Sequence, residues 1–259
     1  MERFSHELEK LRGTILRPVI LFFAISLALL VLSPRDVSIG GLHFPALGIG
    51  TPTLATSIFL SAKSYLLPPG VLLVALGPVS IFMAPMMLAF LMALLITSPY
   101  LLYSVARYLG PALYARERKV LYTFLLPALG LFYLGCAFGY FLLIPKTFVI
   151  LYSLAGPIDV TPFFSLDSFV SSVFLLTVSV GALFLLPVVM VLLTRLSLVP
   201  HEWWATHWRG AMLAATIICA VITPDGSGVT MLFLLIPLTL LYTIGVLLSY
   251  YVRHRKSYI

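Results

Sequence analysis

Glu117 is the acidic residue with the clearest chemical potential, because it is the single carboxylate between Asp36 and Asp159. It lies in a run of four charged residues, 116–119, whose other three members are basic. A carboxylate accepts two parallel hydrogen bonds from an arginine guanidinium, and hydrogen bonds to charged groups contribute about 1.5–3 kcal/mol each. The run therefore has two interpretations. Glu117 binds an arginine of another molecule, or it pairs at the surface with Arg116, Arg118 or Lys119, which contributes little.

The sequence lacks the groups that catalysis or ion transport within a membrane requires. No charged residue falls in the middle third of an apolar segment. All five histidines lie outside these segments: His6, His43, His201, His207 and His254. Cys136 and Cys219 lie in separate apolar runs, which predicts packing residues. We therefore predict no enzymatic activity, no catalytic residue, no metal site and no cofactor. Ion-coupled transporters and intramembrane proteases are disfavoured.

The elements that must position Glu117 are membrane helices. Of the 259 residues, 61% are hydrophobic and 10% are charged, against about 25% charged in soluble domains. Uncharged intervals between charged clusters predict an all-α integral membrane protein with six transmembrane helices in a single domain, residues 1–259. The predicted spans are about 18–32, 79–103, 120–145, 169–194, 210–223 and 229–251. The fifth is short, so we expect a thinned membrane around it.

The segment from Val37 to about Gly77 is apolar but contains many glycines and prolines. Lipid-exposed backbone must satisfy its own hydrogen bonds, so a segment this broken is expected to be a structured loop outside the membrane. A short interfacial helix is predicted near Ser57 to Leu67.

The basic residues predict the orientation. With six spans, 13 of the 16 lysines and arginines fall on one side, and the positive-inside rule makes that side cytoplasmic. Both termini are then cytoplasmic. The net charge of +7 is ordinary for a protein of the plasma or inner membrane, where anionic lipid headgroups suffice as partners. No nucleic-acid partner is predicted.

Prolines and tryptophans give further expectations. Prolines within or beside the spans predict kinked helices in a concave, cupped bundle. They are Pro18, Pro85, Pro99, Pro127, Pro187 and Pro237. Trp203, Trp204 and Trp208 lie in the loop after the fourth span. They are expected to form an aromatic belt, with this loop flat on the membrane.

A motif at the end of the second span carries a family resemblance. Residues 98–119 read SPYLLYSVARYLGPALYARERK. This stretch resembles TatC, the large multispanning subunit of the twin-arginine protein translocase. Supporting matches are residues 135–141 with Pro145, the Thr223-Pro224-Asp225 turn, and a partial N-terminal pattern over residues 6–12. The resemblance covers essentially the whole chain.

The resemblance implies a receptor for folded precursor proteins. Family members bind twin-arginine signal peptides at their cytoplasmic face and recruit single-span partners of the TatA/TatB type for export driven by the proton-motive force. It also implies a homo- or hetero-oligomer. Glu117 occupies the position of the family's signal-binding glutamate. The matching loop adds Tyr108, Pro111, Leu113, Tyr114 and Arg116 to the predicted site.

The resemblance also implies a second arginine-binding carboxylate and several structural or coupling residues. The second arginine-binding carboxylate aligns with Glu9 after a one-residue shift, with Glu7 in reserve, and a solvated charged helix face is an equal alternative. Asp225, Pro187 and Pro99 are expected to have structural or coupling roles.

The sequence departs from the family pattern inside the membrane. The family usually has a glutamate just before the proline of the fourth span, and Leu185 stands at that position here. The polar contact that this glutamate would make to a small partner is therefore missing. Two other functions stay open from the residues alone: a small-solute permease, which would need a polar pathway at mid-depth, and a membrane enzyme.

Overall fold

The computed structural model describes residues 2–39, 42–68, 71–155, 163–223 and 228–256. Most of them are helical. The helices are α1 (Glu2–Val31), α2 (Leu54–Leu66), α3 (Pro78–Leu109), α4 (Ala115–Phe138), α5 (Ile144–Ala155), α6 (Leu166–Phe184), α7 (Leu186–Arg195), α8 (His201–Thr206), α9 (Trp208–Ile222) and α10 (Val229–Lys256). A π-helical turn, Gly139–Leu143, joins α4 to α5, so the third predicted span is one continuous helical segment.

The apolar helices agree with the predicted spans in position. Within the described residues, four helical stretches are long and apolar enough to cross a bilayer: Pro78–Leu109, Glu117–Ser153, Leu166–Arg195 and Val229–Val252. Leu16–Val31 and Trp208–Ile222 are apolar but shorter. Five of the six predicted spans lie along one continuous helical segment to within about a residue, and the fourth is divided between α6 and α7 at Leu185. The count of six crossings stays a prediction.

The loop after α1 contains strands that the sequence analysis did not predict. β1 (Leu32–Ile39) pairs antiparallel with β2 (Leu42–Ile49), in a register that sets Leu32 opposite Ile49. The predicted short helix is present as α2, and the Thr53 side chain caps it by accepting a hydrogen bond from the Thr56 backbone N–H. β3 (Leu72–Val74) pairs in parallel with β4 (Phe163–Ser165). The chain is therefore mostly, not wholly, helical.

The chain divides into two compact units. The first comprises Met1–Ser104 and Phe148–Phe174, and the second comprises Val105–Thr147 and Leu175–Ile259. The core of the first unit includes a cluster of phenylalanine rings. The Phe169 ring is buried, with its centroid 5.4 Å from that of Phe148 and 6.4 Å from that of Phe59.

A polar contact secures one end of this first unit. Ser80 Oγ donates a hydrogen bond of 2.5 Å to Asp167 Oδ2. Because Ser80 lies in the first turn of α3 and Asp167 in the first turn of α6, the contact joins the starts of two long apolar helices.

The second unit is held together by close helix contact. Gly135 on α4 faces Gly181 on α6, and a Cβ at Gly135 would lie 2.9 Å from the Gly181 Cα and 2.7 Å from the Phe184 Cβ. Small residues let helix backbones approach where lipid provides no hydrophobic driving force. Cys136 and Cys219 are both buried here, in keeping with packing roles. α10 packs along α7 and α9.

Candidate functional site

The predicted site is the connection between α3 and α4, within the second unit. After Leu109 the chain forms one 3₁₀ turn, Gly110–Ala112, with Pro111 near its start. A proline is suited to a first turn because it has no N–H to leave unpaired. The Leu113 N–H closes the turn by donating to the Gly110 carbonyl at 3.3 Å. Tyr114 is then extended and forms the N-cap of α4.

Glu117 caps the helix that carries it. Its Oε2 accepts a hydrogen bond of 3.0 Å from the Tyr114 backbone N–H, one of the orphan donors at a helix N-terminus. A negative side chain in the first turn also interacts favourably with the helix dipole. A carboxylate offers about four lone-pair positions, so one capping bond leaves room for the two parallel bonds of an arginine.

The basic neighbours of Glu117 do not neutralise it among the side chains that the structure describes. No described lysine or arginine forms an ion pair with Glu117. The Arg118 guanidinium instead has its Cζ 5.8 Å from the ring centroid of Tyr122. Lys119 is exposed. The side chain of Arg116, a predicted site residue, lies outside the described part of the chain. Surface pairing with Arg118 or Lys119 is thus not observed.

Exposed aromatic and apolar side chains surround this carboxylate in the loop. Tyr114 is 82% exposed and Tyr108 41% exposed. Pro111 is also exposed, and Leu113 is partly exposed. The connection therefore carries one half-buried acidic group together with exposed aromatic and apolar side chains.

Comparison with known proteins identifies the family. The profile of the family described as "Sec-independent protein translocase protein (TatC)" matches residues 6–237. The chain belongs to the TatC family. The TatC protein of Cenarchaeum symbiosum (strain A) is 33% identical over 247 residues, covering 94% of this chain and 92% of that one. The TatC protein of Aquifex aeolicus (strain VF5) is 32% identical over 196 residues, covering 75% and 80%.

Solved structures agree with this assignment. A crystal structure of the twin-arginine translocase receptor TatC superposes with a TM-score of 0.75 at 27% identity, covering 95% of this chain and 99% of that one. The same receptor in the detergent DDM also gives 0.75, at 28% identity. The relatives are named as protein translocase components, a transport role rather than a catalytic one. The TatC resemblance stated from the sequence is confirmed, and the chain is a multi-pass membrane protein.

The second unit of this TatC chain also contains an apolar groove that sequence reasoning missed. Its volume is about 690 Å³. Leu185, at the glutamate position of the family pattern, lies in its wall. The other lining residues are Ala182, Leu183, Leu186, Val189, Met190, Trp203, Trp204, His207, Gly210, Ala211, Met212, Ala214, Ala215, Ile218, Leu238 and Tyr242. Small residues at 210, 211, 214 and 215 are the sequence signal that could have indicated it, because this spacing puts them on one helix face.

Hydrogen bonds order one end of the groove. Tyr242 Oη donates to the Trp204 carbonyl at 2.6 Å, and Trp204 Nε1 donates to Thr194 Oγ1 at 3.1 Å. Helix α8, which contains Trp204, is thereby attached to both α7 and α10. Trp204 thus has a structural contact in addition to the membrane-belt role expected from the sequence.

The other predicted residues belong to other elements of the chain or lie outside the described residues. Glu9 lies on α1 in the first unit, where the structure describes the backbone and not that side chain; the same holds for Glu7. Asp225 lies outside the described residues. Pro99 is inside α3, and Pro187 is buried at the start of α7, just after the helix break at Leu185. Within the described residues no three histidine, cysteine or acidic side chains are grouped to hold a metal.

Proposed function

We propose that this chain is the receptor subunit of a twin-arginine protein translocase. It binds the twin-arginine signal peptides of folded precursors at its cytoplasmic face, and it recruits single-span partner subunits of the TatA/TatB type for export driven by the proton-motive force. Both termini lie in the cytoplasm, and six spans cross the plasma or inner membrane. The working assembly is an oligomer.

The observation that carries the proposal is the state of Glu117. Its carboxylate is fixed by one capping bond to Tyr114 and makes no ion pair with any described basic side chain. An arginine arriving on a peptide therefore does not have to displace a described cation. The planar guanidinium matches a carboxylate in two parallel bonds, whereas the lysine ammonium is a point charge without that geometry. Discrimination of arginine from lysine follows.

The residues around Glu117 supply the remaining contacts in this proposal. The apolar stretch beside the arginine pair is bound by four side chains of the loop: Tyr108, Pro111, Leu113 and Tyr114. Arg116 is the remaining loop residue of the proposed signal-peptide site. The second arginine is bound by Glu9 or, in its place, Glu7. Asp225, Pro99 and Pro187 shape or couple the spans.

Partner recruitment is proposed to use the apolar groove of the second unit. Because Leu185 replaces an ionisable group in its wall, docking of a single transmembrane helix there depends on packing against the small residues of α9. Export energy is proposed to come from the proton-motive force, as the family resemblance implies.

The first experiment is site-specific photocross-linking from Tyr114 to a precursor whose signal peptide carries two arginines or two lysines. Tyr114 suits the probe because its side chain is 82% exposed and three residues from Glu117. Adducts with the arginine form alone are expected. Adducts with neither form would contradict the receptor function, and equal adducts with both would contradict recognition of the guanidinium.

The residue itself is tested by Glu117→Gln rather than by alanine. A glutamine oxygen still accepts the Tyr114 N–H, so α4 stays capped while the negative charge is lost. We expect twin-arginine peptides to bind about tenfold to a hundredfold more weakly, from the loss of about 1.5–3 kcal/mol. Glu202→Gln is the matched control, because Glu202 is an exposed glutamate in the first turn of α8. Equal binding by the Glu117→Gln variant and the unmodified chain would refute the site.

A further inference from the structure

Arg118 presents a problem for a receptor that uses Glu117. It places a permanent positive charge one residue from the carboxylate that is proposed to bind an arginine. Neighbouring positions on a helix point about 100° apart, but a long arginine side chain is flexible enough to fold toward its neighbour. If it did so, it would compete with the signal peptide for the same oxygens.

The structure shows where the Arg118 side chain goes instead. It lies across Gly110, at the other end of the loop. A Cβ built on Gly110 would be 3.3 Å from Arg118 Nε, 3.7 Å from Cδ and 3.8 Å from Cγ. Gly110 is buried although it lies in a surface turn. The far end of the guanidinium reaches the Tyr122 ring, 5.8 Å from its centroid. Gly110 and Tyr122 therefore define a seat for this side chain.

This placement of the Arg118 side chain depends on residue 110 being glycine, which has no side chain. The backbone of Gly110 is not in the left-handed region, so the turn itself does not require glycine. The limit is the space, because a β-carbon there would lie 3.3 Å from Arg118 Nε, a tight contact, although the stem atoms Cδ and Cγ would be at ordinary contact distance. The tight atom belongs to a flexible side chain, so alanine shifts it slightly, whereas a larger residue at position 110 displaces Arg118 and leaves the turn formed.

We propose that Gly110 and Tyr122 are positioning residues, which hold the Arg118 side chain away from Glu117 so that the carboxylate remains free to take the arginine of a signal peptide. This inference rests on the proposed function of Glu117. Arg118 itself does not touch the peptide. When the Arg118 side chain is displaced, it can pair with Glu117 and compete with the arginine of the signal peptide.

The test measures the affinity of a labelled twin-arginine signal peptide for the purified full-length chain in lipid nanodiscs. Gly110→Leu is expected to weaken binding by up to about fivefold, because an exposed ion pair between Arg118 and Glu117 contributes at most about 1 kcal/mol. Gly110→Ala is expected to have a smaller effect in the same direction. Gly110→Leu/Arg118→Gln is expected to regain the original affinity, since the displaced side chain no longer carries a charge.

Two further measurements separate displacement from simple damage to the loop. Arg118→Gln alone is expected to bind as tightly as the original chain or more tightly, whereas a side chain that merely braces the loop would weaken binding when shortened. In a Glu117→Gln background, Gly110→Leu is expected to cause no further loss, because there is no carboxylate to occupy. Gly130→Leu, on the same helix as Arg118 with open space around Gly130, is the control for adding a leucine.

The results distinguish this proposal from the one on which it rests. If Glu117→Gln binds normally, the proposed receptor site is wrong. If Glu117→Gln weakens binding but Gly110→Leu does not, or if the Arg118→Gln change fails to rescue Gly110→Leu, only the proposal that Arg118 is held away from Glu117 is overturned. Equal thermal unfolding of all variants confirms that each comparison concerns folded protein.

Discussion

The loop between α3 and α4 and the groove lined by α7, α9 and α10 belong to the same unit but are built on opposite chemical principles. The loop presents one carboxylate at a helix N-terminus, among exposed tyrosines. The groove presents a wall of leucines, alanines and aromatic rings, with Leu185 where the family pattern has a glutamate. The carboxylate of the loop is capped by a backbone N–H, whereas the groove wall is apolar except for a few polar groups such as His207 and the Tyr242 hydroxyl. The two roles proposed for these regions, peptide binding and docking of a membrane helix, can therefore be tested separately.

The largest effect is expected from placing a carboxylate in the apolar groove, at the position where the family pattern has a glutamate and this chain has Leu185. Leu185→Glu is expected to lower stability by about 2.5–3.5 kcal/mol, the order of magnitude for an ionisable group placed within a transmembrane helix. Thermal unfolding in detergent measures it. Leu198→Glu is the matched control, because Leu198 is 64% exposed in the turn after α7 and is not part of the groove. An unchanged unfolding temperature for Leu185→Glu would mean that water reaches this wall of the groove and solvates the carboxylate.

A somewhat smaller effect is expected from filling the groove without adding charge. Ala211→Phe places a ring in the space proposed for the partner helix, and we expect partner association to weaken by about 1–3 kcal/mol, the usual cost of overpacking. Cross-linking yield to the single-span partner measures it, while signal-peptide binding at the loop stays normal. Leu213→Phe, on an exposed position of the same helix, should leave both unchanged. Joint loss of both activities would show that the two regions do not act separately.

The contrast also explains what the sequence could and could not predict. Glu117 and its neighbours form one uninterrupted stretch, so residues 98–119 were enough to indicate the family and to name a candidate site. The groove combines residues 182–242 from several helices, and no local pattern encodes its shape. The β1–β2 hairpin was missed because its prolines and glycines were interpreted as signs of a loop, although its pairing is local and runs from Ile39 opposite Leu42 to Leu32 opposite Ile49.

Helix positions were predictable and helix ends were not. Charged clusters bounded the apolar segments well, but α3 continues to Leu109, beyond the predicted end at 103, and α1 begins at Glu2 rather than near 18. A helix continues past the apolar region wherever its polar residues still form backbone hydrogen bonds in water. Glu117 is another example. Its position was singled out from the sequence, but only the structure shows that its side chain accepts the Tyr114 N–H and caps the first turn of α4.

The smallest expected effect comes from removing one hydrogen bond that supports the groove. Tyr242→Phe removes the hydroxyl that donates to the Trp204 carbonyl at 2.6 Å and keeps the ring in the wall. We expect a loss of about 0.5–1.5 kcal/mol in unfolding free energy, the net worth of one hydrogen bond. Tyr251→Phe, 69% exposed on the same helix, controls for removing a hydroxyl. Because Glu117 is capped by Tyr114 and has no part in this contact, twin-arginine binding should not change. A loss of peptide affinity in Tyr242→Phe would mean that the groove end helps to shape the receptor loop, and the separation of charge recognition from helix packing would fail.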